Sequence, residues 1–168
     1  MCGRFYMDAE ADRREVFPTE GVKVVCADGE RTLRWGFANP AGKGVLINAR
    51  AETAAVKPTF RDCLASRRCL VPAQGFYEWR HEAGRKKKER FRVARADGRP
   101  LMMAGLYDEA GRFVIVTQPA NAAVAPLHDR MPVILPTAEL QALWLSRDSL
   151  AQTILESRPD VELTVRPG

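Results

Sequence analysis

Long apolar runs are missing from this chain of 168 residues, and nothing in it approaches the roughly 18 uninterrupted apolar residues that a membrane span requires. Where a secretory signal would need an apolar stretch, the segment up to Phe17 carries Arg4, Asp8, Glu10, Asp12, Arg13, Arg14 and Glu15. A soluble, non-secreted protein with no membrane partner is expected. Cysteines are few: Cys2, Cys26, Cys63 and Cys69 show neither the C-x2-C nor the C-x4-C spacing of a structural zinc site, and four is low for a disulfide scaffold. Reduced thiols in a cytoplasm and no metal are expected. Aromatic residues make up only 8%, with few in the basic segments, which disfavours a module that binds single strands by base stacking alone. No repeat, low-complexity tract or Pro/Gly/Ser linker divides the chain, so one domain over 1–168 is expected.

What is present is basic and rich in strand-forming sequence. Against 21 Asp and Glu stand 26 Lys and Arg, a formal charge of +5 that favours an anionic partner without naming it. Strand composition recurs at Val22 to Cys26, Arg31 to Trp35, Val45 to Asn48, Cys69 to Val71, Gly75 to Arg80, Phe91 to Ala94, Leu101 to Tyr107, Phe113 to Thr117 and Met131 to Leu135. Asp28-Gly29 and Asp97-Gly98 each lie between two such runs and predict tight hairpins, because Asp-Gly readily supplies positive φ; Gly84 and Gly111 mark two further turns. Helices are expected near the ends. Asp8 would cap one through Phe17, Thr137 one whose Leu140, Leu143 and Trp144 share a face, and Asp148 a short third before a strand at Val161 to Val165.

The most informative residue is Cys2. A small side chain at position two lets the initiator Met be removed, which would leave an α-amine and a thiol on one carbon. With reference pKa values of about 7.7 to 8.0 for the amine and about 8.5 for the thiol, part of each is nucleophilic near neutral pH. An aldehyde would form an imine with the amine, and the thiol would then close a thiazolidine ring. A small buried residue opening a first strand is the plain alternative. Glu78, among the aromatic neighbours of Gly75-Phe76-Tyr77-Glu78-Trp79, is a candidate general acid and base, or else a strand glutamate on a solvated face. His128, in Leu127-His128-Asp129-Arg130-Met131-Pro132, could exchange protons in a cleft or rest on the surface against Asp129. His81, beside Glu82 and the run Arg85 to Lys88, reads as solvated hairpin. Asn48 and Arg50, two residues apart on an extended chain, share a face and could hold a sugar oxygen and a phosphate, or Arg50 could simply pair with Glu52. Arg4, Arg50 and Arg130 each neighbour one of these candidates, and guanidinium suits bidentate phosphate contacts.

Five segments in this order, Met1-Cys2-Gly3-Arg4-Phe5, Arg34-Trp35-Gly36, Ile47 to Thr53, Arg68 to Trp79 and His128 to Pro132, closely resemble the SRAP family, also named SOS response-associated peptidase or abasic site processing protein. The resemblance runs from residue 1 to about residue 146. It implies an α+β fold in which twisted antiparallel sheets form a barrel-like core with peripheral helices. It also implies a covalent DNA-protein crosslink at abasic sites in single-stranded DNA through a thiazolidine at Cys2, protecting the lesion in the DNA damage response, with Schiff-base chemistry of the lyase type. Asn48 would orient the opened sugar and the N-terminus, Glu78 would handle protons at the amine, and His128 would assist ring opening. Arg4, Arg50 and Arg130 would bind flanking phosphates, with Thr117 beside them. No cofactor is implied; the protein would act as a monomer, cytoplasmic and associated with the nucleoid. The rival within the same residues is a thiol-dependent peptidase or autopeptidase with Cys2 as nucleophile and His128 or Glu78 as base. Two departures from the family pattern stand out. Only Phe17-Pro18-Thr19 remains of a longer segment with an Asn-x-Ala-Pro motif, and Asn39-Pro40-Ala41-Gly42-Lys43 lacks the aromatic of the corresponding loop, so that either base stacking at the lesion is weaker than in the family or Pro18 alone acts as a wedge.

Overall fold

The computed structural model describes residues 2–8, 13–80, 84, 87–147 and 150–168. In chain order these form β1 (Phe5–Tyr6), β2 (Glu15–Val16), β3 (Gly21–Cys26), β4 (Gly29–Trp35), β5 (Phe37–Ala38), β6 (Val45–Leu46), β7 (Asn48–Arg50), α1 (Arg61–Ser66), β8 (Arg68–Ala73), β9 (Gly75–Arg80), β10 (Glu89–Arg95), β11 (Leu101–Tyr107), β12 (Arg112–Pro119), β13 (Arg130–Pro132), α2 (Ala138–Leu145), α3 (Ala151–Glu156) and β14 (Leu163–Pro167). The fold is α+β. None of the described helices is long and apolar enough to cross a membrane.

Strands β11, β8, β3, β4 and β12 pair in that order, and β11 also pairs with β12, so the sheet closes on itself as a small barrel with no free edge along the ring. The pairings are antiparallel except those of β12 with β4 and with β7, which are parallel. A second sheet, in the order β14-β10-β9-β1-β2, is antiparallel throughout. Period-two alternation sends successive side chains of the barrel strands to two cores. Phe113 and Ile115 of β12 pack with Phe5, Val16, Phe76 and Val93 of the second sheet, whereas Val114 and Val116 pack with Phe60, Leu64, Trp144 and Ile154 of the helical layer. Being covered on both faces is why this strand reads as a continuous apolar run.

The turn at Asp28-Gly29 joins β3 to β4 as expected, with Gly29 at φ 123° and Cys26 opposite Gly29. Asp97-Gly98 does not make a hairpin: β10 pairs with β9 and β14, and β11 with β8 and β12, so this turn carries the chain from one sheet to the other. The Asp97 carboxylate instead grips the Arg95 guanidinium at 2.9 and 2.6 Å and accepts the Arg99 N–H. No helix reaches Phe17, because Glu15–Val16 pair with β1 as a strand; Ala9 to Asp12 lie outside the described residues, as do His81, Arg85 and Asp148. Thr137 does cap α2, accepting the Leu140 N–H, but only Trp144 of the expected face is fully buried and Leu143 is exposed. The Val45 to Asn48 run is broken at Ile47: Gly36, at φ 123°, lets β5 fold back on β6 where a Cβ would fall 2.8 Å from that of Val45, and the chain then passes to the barrel as β7.

Candidate functional site

The site forms where the second sheet meets the barrel. Cys2 is wholly buried in the core shared by the two, among Phe5, Trp35, Phe76 and Ile115. Phe5 lies opposite Phe76, and the Tyr77 N–H donates to the Arg4 carbonyl at 2.9 Å, so the segment before β1 continues along β9 towards Glu78. Glu78 is itself buried, 2% exposed, because alternation on β9 turns it to the same side as Phe76. Desolvation by burial, and after it the Glu78 carboxylate, push the Cys2 thiol well above its ordinary range, against smaller opposing effects of the N-terminal charge and of a hydrogen bond from the Arg4 backbone. The thiol is therefore held neutral.

Asn48 comes from the barrel side. Its parallel pairing with Ile115 of β12 fixes the strand, and Ile47 is held by the Trp35 indole N–H and the Ile115 N–H, each 3.0 Å from its carbonyl. The Asn48 side chain donates Nδ2 to the Cys2 carbonyl at 3.4 Å and to the Ile115 carbonyl at 3.5 Å. Its Oδ1 is buried with no hydrogen-bond partner among the described residues, an acceptor left open beside the Cys2 backbone. Cys2, from the segment before β1, is thus brought together with Asn48 of β7 and Glu78 of β9.

His128 closes a turn whose Val124 and Leu127 pack into the same core as Cys2. Its Nδ1 is 3.0 Å from the Arg130 N–H and 2.9 Å from Asp129 Oδ1. The first contact needs a bare Nδ1 as acceptor and the second an Nδ1–H as donor, so the ring makes one of them at a time.

The arginines divide. Arg50 is exposed and makes no ion pair among the described residues, its expected partner Glu52 being taken by Arg130. Arg130 is buried, with donors to both Glu52 oxygens at 3.1 and 3.0 Å and to Thr117 O and Oγ1 at 2.9 and 3.2 Å. As placed, its fork is committed to those groups, and Thr117 is wholly buried beneath it. Arg4 is part-exposed, ion-paired to Glu15 at 3.3 Å, with its guanidinium 4.2 Å from the Phe17 ring centre and 5.2 Å from that of Trp79. Pro18 follows in a turn with Thr19 at φ 77°, beside an exposed Phe17. Sequence reasoning missed Glu15 and Phe17 as companions of Arg4 and Glu52 as that of Arg130; the signal for each is a cross-strand register rather than a spacing along the chain.

The chain belongs to the family described as SOS response associated peptidase (SRAP), whose profile it matches over residues 6–167. It is 32% identical to the abasic site processing protein YoqW of Bacillus subtilis over 94% of this chain and 85% of that protein. It is 37% identical to the abasic site processing protein YedK of Escherichia coli over 68% of this chain and 54% of that one. Among solved structures, a phage-related protein of Bordetella bronchiseptica superimposes with a TM-score of 0.82 at 27% identity, covering 99% of this chain and 94% of its own.

Proposed function

We propose that this protein captures abasic sites in single-stranded DNA covalently through Cys2. The relatives named abasic site processing proteins support the lesion as its target. One observation carries the chemistry beyond that: Cys2 is buried with its thiol under the influence of the Glu78 carboxylate and its carbonyl held by the Asn48 amide, whose Oδ1 has no hydrogen-bond partner among the described residues.

Removal of Met1 turns the Cys2 nitrogen into an α-amine beside that open acceptor. The amine attacks the C1′ aldehyde of the opened sugar, and loss of water gives an imine. The thiol then adds to the imine carbon, its proton passes to nitrogen, and the ring closes as a thiazolidine; aldehyde and aminothiol are consumed and one water is released. Glu78 moves the protons, Asn48 Oδ1 orients the amine, and His128, able to trade Arg130 for Asp129, serves the sugar oxygen on ring opening. Arg4 and Arg50 take flanking phosphates, whereas Arg130 reaches one only by giving up Glu52. The peptidase reading would need an activated thiolate at Cys2, and burial and the Glu78 carboxylate both work against one while Met1 is in place.

Intact mass after incubation with an abasic oligonucleotide tests the reading. The expected species is the chain lacking Met1 plus the strand minus one water, stable to heat, and absent from Cys2→Ala. An equal yield of stable adduct from Cys2→Ala would sink the thiazolidine.

A further inference from the structure

The outer face of the five-stranded sheet carries a row of side chains that the chemistry at Cys2 does not use. Because Phe5 lies opposite Val16, Arg4 falls opposite Phe17, and the Tyr77 N–H joins Arg4 on the other side. Tyr77 lies opposite Arg92, and Arg92 opposite Arg166. Phe17, Arg4, Tyr77, Arg92 and Arg166 thus form one line across all five strands, in steps of about 5 Å, so that Arg166 stands about 15 Å from Arg4. In the next row Arg90 packs 4.6 Å from the Tyr77 ring centre beside Trp79, and on the other side Arg13 lies 6.0 Å from that of Tyr6.

Among the described residues the acid paired on this face is Glu15, shared by Arg4 at 3.3 Å and Arg90 at 2.9 Å. Arg92 donates only to the Pro167 carbonyl, at 3.4 Å, and neither it nor Arg166 meets a carboxylate among the described residues. Two guanidinium groups directly opposite on neighbouring strands repel, a placement that destabilises the pair unless an anion lies between them. Beside them is a hollow of about 250 Å³, lined also by Tyr6, Gln74 and Thr164. Tyr77 and Tyr6 are themselves buried beneath this layer, so what the face offers is a line of planar donor forks, which matches successive phosphodiesters better than a compact anion.

We infer that this row is a track for the phosphate backbone of the single-stranded DNA running away from the Cys2 site, with phosphates seated at Arg92 and Arg166. The inference rests on the function proposed above. It lengthens the contact from the lesion to one of its flanks, because a row starting at Arg4 follows a strand in one direction only.

The full-length protein is titrated at several salt concentrations with three strands that carry a stable tetrahydrofuran abasic analogue: a short one, one extended on the 5′ side and one on the 3′ side. For Arg92→Ala/Arg166→Ala, the log-log salt slope falls by about 0.7 for each lost contact on one extended strand, and is unchanged on the other and on the short strand. The Arg92→Lys/Arg166→Lys pair restores the slope. An unchanged slope on both extended strands, an equal fall on all three, a larger fall on RNA of the same sequence, or no rescue by lysine overturns the track. If the wild type formed no adduct with a reactive abasic strand while the slope still behaved as stated, the covalent reading would fall and the track would stand.

Discussion

Glu78 and Cys2 meet inside the protein although 75 positions of the 168-residue chain lie between them, and in the proposed reaction their nearness would set the order of events, the neutral thiol waiting while the amine attacks. In that proposal, proton transfer at the amine falls to Glu78. Glu78→Gln keeps the shape of the side chain and removes the exchangeable proton, so single-turnover adduct formation should slow by about 10² to 10⁴-fold. Equilibrium binding to the non-reactive analogue should stay as in the wild type; equal rates in both proteins would reduce Glu78 to a strand residue. At this scale the sequence is legible wherever a motif names its own strand, as around Glu78 and Asn48. It is not legible where the partner comes from elsewhere. The pairing of Arg130 with Glu52 depends on β7 and β13 lying on opposite sides of β12, and nothing local distinguishes it from a pairing of Glu52 with Arg50.

Elements were readable by composition, their partners less so. The turn at Asp28-Gly29 and the turn at Asp97-Gly98 have the same dipeptide and opposite outcomes, because a tight turn fixes the local reversal of the chain and not which edge the next strand finds. At the second turn the exposed Asp97 carboxylate serves the buried Arg95. Its hydrogen bonds from Arg95, first among the causes, and from the Arg99 N–H bring its pKa down to about 2 from an ordinary value of 3.8. A carboxyl whose folded pKa is depressed stabilises the fold above its unfolded value and loses that contribution as pH falls from near 3.8 through about 2. Asp97→Asn should therefore lower the melting temperature at neutral pH, and the difference from wild type should shrink across that acid window. A difference that persists unchanged at the acid end would show that the carboxylate's charge contributes nothing. The expected first helix fails for a related reason: Val16 fills the core beside Phe5 as a strand residue, and tertiary pairing overrides the local signal.

For the molecule as a whole, the barrel and its helical layer are joined at Arg68. This buried guanidinium donates to the carbonyls of Leu64 and Ala65 at the end of α1, at 2.6 and 2.8 Å, and to those of Trp144, at 2.6 Å, and Ser146 at the end of α2. It meets the partial negative charge of both helix ends, which explains how a buried cation persists with no carboxylate beside it among the described residues. Arg68→Met fills similar space but leaves those carbonyls without a donor, and should cost about 2 to 4 kcal/mol in denaturant unfolding, with Arg68→Lys recovering only part. No loss in Arg68→Met would mean that water replaces the guanidinium at no cost. The arrangement of the reactive groups has a further consequence for how the protein comes into being. Asn48 bonds across 46 positions to Cys2 and across 67 to Ile115, and β1 finds β9 at a similar distance. Contacts so remote along the chain form late in folding. Cys2 thus acquires its chemical surroundings only when β12 has docked, so an unfolded or misfolded chain carries the cysteine without the carboxylate and amide that the proposed chemistry needs.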